Sequence, residues 1–286
     1  MINSRENKIL LIGCGYWGKN WYNTIKNSKY TLAGVVDPNP IIDVDIPLFN
    51  TIKDVNIEYT HVILAVNAKL HSKIVKQLSI PQENILVEKP CGVSGKDAKK
   101  IKDTFPGYIF LYSDEYQYIK NNLNKIGKPQ YWKSIRASMG PKVRSDVSIL
   151  EDYMIHDLYI YRDLFGECKV YNKYWEKEFS PPIKPSSLHL ELKGEIPGYF
   201  YSSWNYPIKE RKIIIKGDKG SFIWKNDDLY YDNTHYINNE VIEGTCEKII
   251  TTSKSNLDLE LEFFILGEKP NVNILDVWSL INVINK

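Results

Sequence analysis

Apolar positions in the first third of the chain fall in short continuous runs separated by amphipathic stretches. "KILLIG", "TLAGVV", "HVILAV", "ILVE" and "YIFLY" have the length and composition of buried strands. Between them, the segment from about Tyr16 to Asn27 and the stretches "HSKIVKQL" and "DAKKIKDT" read as helices. Strands alternating with helices predict a parallel sheet covered on both faces. The order changes near residue 117. A helix across "YIKNNLNK" and another over residues 150–165 lead into strands in succession, "KVYNKYW", "SLHLELK", "GYFYSSW", "RKIIIKG" and "GSFIWK". Such a run predicts an α+β domain with a mostly antiparallel open sheet and helices on one face. The expected division is therefore 1–117 and 118–286, and "SPPIKPSS" reads as a surface loop.

Composition narrows the function classes. The chain has 286 residues, 37 Lys plus Arg against 35 Asp plus Glu, and a formal charge of +2, so it carries no broad electrostatic footprint for nucleic acid or an acidic membrane. No stretch approaches the ~20 apolar residues of a spanning helix, and the opening apolar run is too short for a signal peptide, so a cytoplasmic protein is expected. Cys14, Cys91, Cys168 and Cys246 are too scattered for a zinc site or a disulfide framework and are expected as free thiols, with no metal.

The first predicted strand runs into "GCGYWGKN", where Gly13, Gly15 and Gly18 form G-x-G-x-x-G, and Asp37 closes the second strand. The first glycine permits the tight turn, the second lets the backbone approach a pyrophosphate, and the third lets the helix pack on the strand while its N-terminus faces the phosphate charge. Asp37 would accept the adenosine ribose hydroxyls. Its charge would repel a 2′-phosphate, and Pro38 and Asn39 bring no Arg to offset it, so NAD(H) is expected over NADP(H). A methyltransferase can also place a glycine loop and an acid in this order, and at this point it stays open.

"NILVEKPCG" puts Glu88, Lys89 and Pro90 at the end of a buried strand, where open α/β sheets collect ligands. With this motif the chain resembles the glucose-fructose oxidoreductase and inositol dehydrogenase family, Gfo/Idh/MocA. "LLIGCGYWGKN" is similar to its cofactor loop, "AVNAKLH" to the segment after its fourth strand, "VEKPCG" to its Glu-Lys-Pro signature, and "LEDYMIHDLYIYRDLFG" to its Asp-x-x-x-His helix. "SWNYPIKERKIIIKGDKG" is similar to a second-domain segment of its nucleotide-sugar branch. The resemblance implies an NAD-binding Rossmann domain, a second domain for substrate binding and homo-oligomerisation through its sheet, and hydride transfer at a sugar or polyol carbon. It carries Tyr16, Trp17, Asn67, His71, Glu88, Lys89 and Pro90 to the cofactor side, and Lys89, Asp152 and His156 to catalysis.

Asp152 and His156 lie four apart and share a helix face that continues through Tyr159 and Asp163, while Leu150, Met154, Leu158, Tyr161 and Phe165 form a separate apolar stripe. Histidine suits proton transfer in either direction. Arg144, Lys209 and Arg211 are candidate contacts for a diphosphate, and Trp204 for stacking on a sugar or base. The expected substrate is a nucleotide-linked sugar or keto-sugar of surface polysaccharide assembly, with a free polyol or sugar phosphate as the alternative and a non-catalytic NAD-binding sensor as the alternative of another class. The chain departs from the family pattern at Asn67-Ala68, at "PQEN" and at "SDEYQY", positions on the substrate side and its loops.

Overall fold

The segment "KILLI" forms β1 (Lys8–Ile12), whose last four residues are all buried, as a strand covered on both faces requires. With β2 (Thr31–Val36), β3 (Leu48–Phe49), β4 (His61–Leu64), β5 (Ile85–Glu88) and β6 (Phe105–Gly107) it makes a parallel sheet of order β3-β2-β1-β4-β5-β6. α1 (Gly18–Lys26), α2 (Ala68–Val75) and α3 (Gly95–Lys100) are the crossovers. The strand order reverses between β1 and β4, which places a ligand crevice at their carboxyl ends. This computed structural model describes residues 7–139, 147–177, 185–237, 240–249 and 254–286.

The sixth strand is not "YIFLY". Residues Phe105–Gly107 pair with β5, and Ile109–Leu111 form a 3-10 turn. An edge strand tolerates Pro106, and the apolar run that suggested a strand is instead buried as a turn, with Tyr108, Leu111 and Tyr112 all in the interior.

α4 (Asp114–Asn121) begins earlier than its apolar residues suggest, because the Ser113 side chain accepts from the Tyr116 amide and caps it. The apolar pattern does not predict β7 (Pro129–Ala137), yet it lies inside the eight-stranded sheet. Its buried positions include Trp132, Ser134 and Arg136, so two of the three are polar and mask the alternation. A π-helical turn, Leu150–Met154, then leads into α5 (Ile155–Phe165), so the expected helix is not regular at its start. Leu150, Met154, Leu158, Tyr161 and Phe165 are buried as one stripe, with Tyr161 meeting the rings of Trp132 and Phe200.

β8 (Lys169–Lys177), β9 (Pro185–Lys193), β10 (Pro197–Ser203), β11 (Glu210–Gly217), β12 (Ser221–Lys225) and β13 (Asp228–Asp232) follow. β14 (His235–Ile237) and β15 (Glu240–Ile242) form a separate hairpin, and β16 (Cys246–Ile249) pairs with β13. The large sheet has the order β16-β13-β12-β11-β7-β10-β9-β8; only the β7–β10 pair is parallel. Most of "SPPIKPSS" lies outside the described residues, and its end begins β9.

α6 (Asn256–Leu266) and α7 (Ile274–Ile284) close the described chain. The compact units are Met1–Tyr112 with Lys254–Trp278, and Ser113–Ser253 with Ser279–Lys286. A single cut at residue 117 therefore does not describe them. Leu257, Leu259, Leu261 and Phe264 of α6 share one core with Trp21, Ile25, Phe105 and Tyr112, and this burial recruits the late segment into the first unit.

Candidate functional site

In the first unit the glycine loop is built by exclusion. Gly13 has φ +93°, and a Cβ there would come within 2.6 Å of Val66 Cγ1 and 2.7 Å of the Ala65 carbonyl oxygen. A Cβ on Gly18 would lie 2.0 Å from the Gly13 carbonyl oxygen. A Cβ on Gly15 would meet nothing within 4 Å. Two glycines are thus demanded by the protein itself, and the third leaves space for a ligand. α1 starts beside that space with no side-chain cap; the Lys19 and Asn20 amides donate to the Gly15 and Trp17 carbonyls at 2.9 Å, and the positive end of the helix dipole remains to favour an anion.

Asp37 stands at the end of β2 with its carboxylate oriented by the loop: Oδ2 accepts from the Cys14 amide at 2.6 Å and Oδ1 from the Asn39 amide at 2.8 Å. The Cys14 thiol is pushed up in pKa by burial and then by the charge of Asp37. These features fit the adenosine and pyrophosphate of a dinucleotide.

Two expected cofactor contacts are turned inward instead. His71 is fully buried, and burial pushes its pKa down to about 4, so the neutral ring donates from Nε2 to the Val66 carbonyl at 3.1 Å. It steadies the turn carrying Asn67, which is exposed and caps α2 by accepting from the Lys69 amide at 3.0 Å. Glu88 is also buried; Oε1 accepts from the indoles of Trp17 and, at 2.7 Å, Trp21, while Oε2 accepts from the Lys89 amide at 3.1 Å. Lys89 is half-buried at the cis Lys89–Pro90 bond, and Pro90 is buried. Tyr16 and Trp17 are exposed on the loop.

In the second unit the π turn and the helix that follows it are fixed by side chains in the sheet and just beyond its strand ends. Asp152 Oδ2 accepts from Trp204 Nε1 at 3.3 Å, the hydroxyls of Tyr153 and Ser138 are 2.8 Å apart, and Asp157 Oδ1 accepts from Arg136 at 2.7 and 3.1 Å. His156 is buried, with Nδ1 2.8 Å from the Tyr159 hydroxyl. Asp163 is bonded to Tyr116 and Lys120 of α4, so it serves packing within this unit.

The substrate-side candidates separate. Trp204 is only 4% exposed and bonded to Asp152, so its ring is not a free stacking surface; it holds Asp152. Lys209 and Arg211 are exposed, with Arg211 opposite Arg136 in the β11–β7 register. Arg144 lies outside the described residues. Among the described residues no cluster of three or more His, Cys, Asp or Glu is arranged for a metal, and no helix is long and apolar enough to cross a membrane.

Residues 7–107 match the Gfo/Idh/MocA family, described as an oxidoreductase family with an NAD-binding Rossmann fold. The first domain of this chain is a Gfo/Idh/MocA NAD-binding domain. A search of curated proteins gave no match. Solved structures share the fold over nearly the whole length of the chain. A UDP-N-acetylglucosamine 3-dehydrogenase from Acidithiobacillus ferrooxidans has a TM-score of 0.80 at 17% identity, covering 97% of this chain and 95% of that one. A 3-ketoreductase from Actinomadura kijaniata, in complex with TDP-benzene and NADP, has a TM-score of 0.78 at 11% identity, covering 98% and 97%. An oxidoreductase from Agrobacterium radiobacter, in complex with NAD+, L-tartaric acid and magnesium, has a TM-score of 0.78 at 19% identity, covering 97% and 94%.

Several residues that shape the candidate site carry no sequence signal of their own. Trp21 and Arg136 act on motif residues far along the chain and look like ordinary core and strand positions. Tyr159, by contrast, is legible, because a residue three after His156 on a helix lies over the same face.

Proposed function

We propose that the protein is an NAD(H)-dependent oxidoreductase that moves a hydride to or from a ring carbon of a sugar, with a nucleotide-linked sugar or keto-sugar as substrate. The observation that carries the dehydrogenase reading is the loop in which Gly13 and Gly18 are sterically obligatory while Gly15 opens on empty space. A methyltransferase reading gives no role to Lys89 or to the Asp152 and His156 pair. When bound, the nicotinamide supplies or accepts the hydride.

The chain's own residues handle binding and the proton. Gly15, the N-terminal end of α1 and Asp37 hold the dinucleotide, and the Asp37 charge disfavours a 2′-phosphate. His156 takes the alcohol proton during oxidation and returns it during reduction. Lys89 hydrogen-bonds the reacting oxygen and stabilises negative charge as it develops there. Asp152, oriented by Trp204, fixes the substrate hydroxyls. Lys209 and Arg211 offer cations to a diphosphate.

The named activities of two structural relatives, a UDP-sugar 3-dehydrogenase and a 3-ketoreductase with a TDP ligand, favour a nucleotide-linked substrate over a free polyol. The test is absorbance of the reduced cofactor during incubation with UDP-, dTDP- and GDP-sugars, their 3-keto and 4-keto forms, and the matching free and phosphorylated sugars. Turnover of free polyols alone would overturn the substrate assignment, and NADH binding without turnover of any compound would favour a sensor. His156→Ala and Lys89→Ala are each expected to lower turnover at least ~10²-fold with NADH still bound. Near-normal turnover of His156→Ala would remove it from the mechanism.

Self-association through the large sheet belongs to the same reading. Its face away from α5 exposes Tyr131, Tyr174 and Tyr199, and carries a groove of about 730 Å³ between Lys133, His189 and Glu191. Tyr199→Glu is expected to dissociate the oligomer in light scattering; a monomeric unmutated protein would refute this surface.

A further inference from the structure

Glu88 is the point where two parts of the first unit meet. One oxygen accepts from Trp17, a residue inside the glycine loop, and from Trp21, a turn later on α1; the other accepts from the main-chain amide of Lys89. Trp21 is fully buried, whereas Trp17 is 38% exposed and lies two residues after Gly15, whose Cβ position is open. Burial pushes the Glu88 pKa up, and the indole hydrogen bonds oppose that shift. All three partners are donors, so the group is held as a pure acceptor.

From this geometry we infer that Glu88 is a positioning residue that couples occupancy of the glycine loop to Lys89. A ligand settling over Gly15 restricts the loop and Trp17. The indole of Trp17 then holds Glu88 Oε1, and the carboxylate, rigid between Trp17 and Trp21, keeps Oε2 on the Lys89 amide. The lysine is thereby fixed in place once cofactor is bound, before any substrate contact is made. The inference rests on dinucleotide binding at this loop.

The test uses ADP-ribose, which fills the adenosine and pyrophosphate positions and has no nicotinamide to touch Lys89 directly. Amide hydrogen exchange at Lys89 is followed at saturating ADP-ribose, with binding itself measured by calorimetry. The unmutated protein is expected to slow exchange at Lys89 at least ~5-fold. In Trp17→Phe, saturated with the same ligand, the slowing should fall below ~2-fold. Glu88→Gln should also lose it, because a carboxamide can serve the indoles or the Lys89 amide but not both.

Slowing that survives in Trp17→Phe, or is absent in the unmutated protein although ADP-ribose binds, overturns the coupling. Failure of ADP-ribose to bind overturns the cofactor reading, and the coupling with it. A measurement without any variant guards against misfolding: the Trp17 indole N–H and the Lys89 amide should slow together across one ADP-ribose titration, and separate midpoints would refute the link.

Discussion

In the parallel-sheet unit the decisive atoms belong to the main chain, and in the eight-stranded unit they belong to side chains. Gly13 and Gly18 are required because a Cβ would strike Ala65 and Gly13 main-chain oxygens, and Asp37 is oriented by the amides of Cys14 and Asn39. Asp152, Tyr153 and Asp157, by contrast, are held by Trp204, Ser138 and Arg136. A main-chain cradle recognises what every dinucleotide shares. A helix pinned by exchangeable side chains can change its partners while the fold stays.

The side-chain pins should therefore be the more fragile to single changes. Arg136→Ala leaves Asp157 buried and without its countercharge, and it is expected to cost about 3–5 kcal/mol in denaturant unfolding. A cost under about 1 kcal/mol would mean that the pair does not anchor the helix.

Within the cradle the glycines should differ sharply. Gly18→Ala drives a methyl into a main-chain oxygen and is expected to lower stability by about 2–3 kcal/mol and abolish measurable NADH binding. Gly15→Ala has room, so its melting temperature should stay near that of the parent while NADH binding weakens. Equal melting of the two variants would contradict this division of labour.

Glu260 tests a buried group that neither site uses. Both of its carboxylate oxygens lack a hydrogen-bond partner among the described residues, and burial, reinforced by the Glu88 charge, holds its pKa well above the usual carboxylate range. A folded-state pKa raised in this way means that the group's contribution to stability is full at acid pH and is lost as pH rises toward the folded value. Glu260→Gln does not titrate, so it should be more stable than the parent by about 1–2 kcal/mol at pH 8, with a smaller gain at pH 5. A gain that does not change with pH would refute the buried-carboxyl account.

The smallest expected effect is on cofactor choice. NADH should bind at least ~10-fold more tightly than NADPH, about 1.4 kcal/mol, and Asp37→Ser should narrow that gap. Equal affinities in the parent would remove Asp37 from discrimination.

The same contrast explains what could be read from sequence. G-x-G-x-x-G and the acid after the second strand were legible because steric demands on a main chain are met by residue type at fixed spacing. The pairing of Trp204 with Asp152 crosses 52 residues, and that of Arg136 with Asp157 crosses 21. No local pattern records such a partnership, so in sequence Trp204 reads as a stacking ring and Arg136 as an ordinary strand position. β7 was hidden for a related reason: Ser134 and Arg136 replace the apolar residues that mark a half-buried strand. "YIFLY" misled in the opposite direction, since an apolar run reports burial and leaves the backbone shape open.

The return of the late chain to the first unit has a consequence for the order of synthesis. Trp21, Phe105 and Tyr112 are covered by α6, and the Trp278 indole donates to the Cys91 carbonyl at 2.9 Å. On the ribosome, the nucleotide-binding half is made first but lacks its own lid of apolar side chains until residues 254–278 emerge. The intervening segment must be synthesised while that core is still open to water, so the nascent chain passes through a stage in which chaperone capture and aggregation compete with completion of the domain.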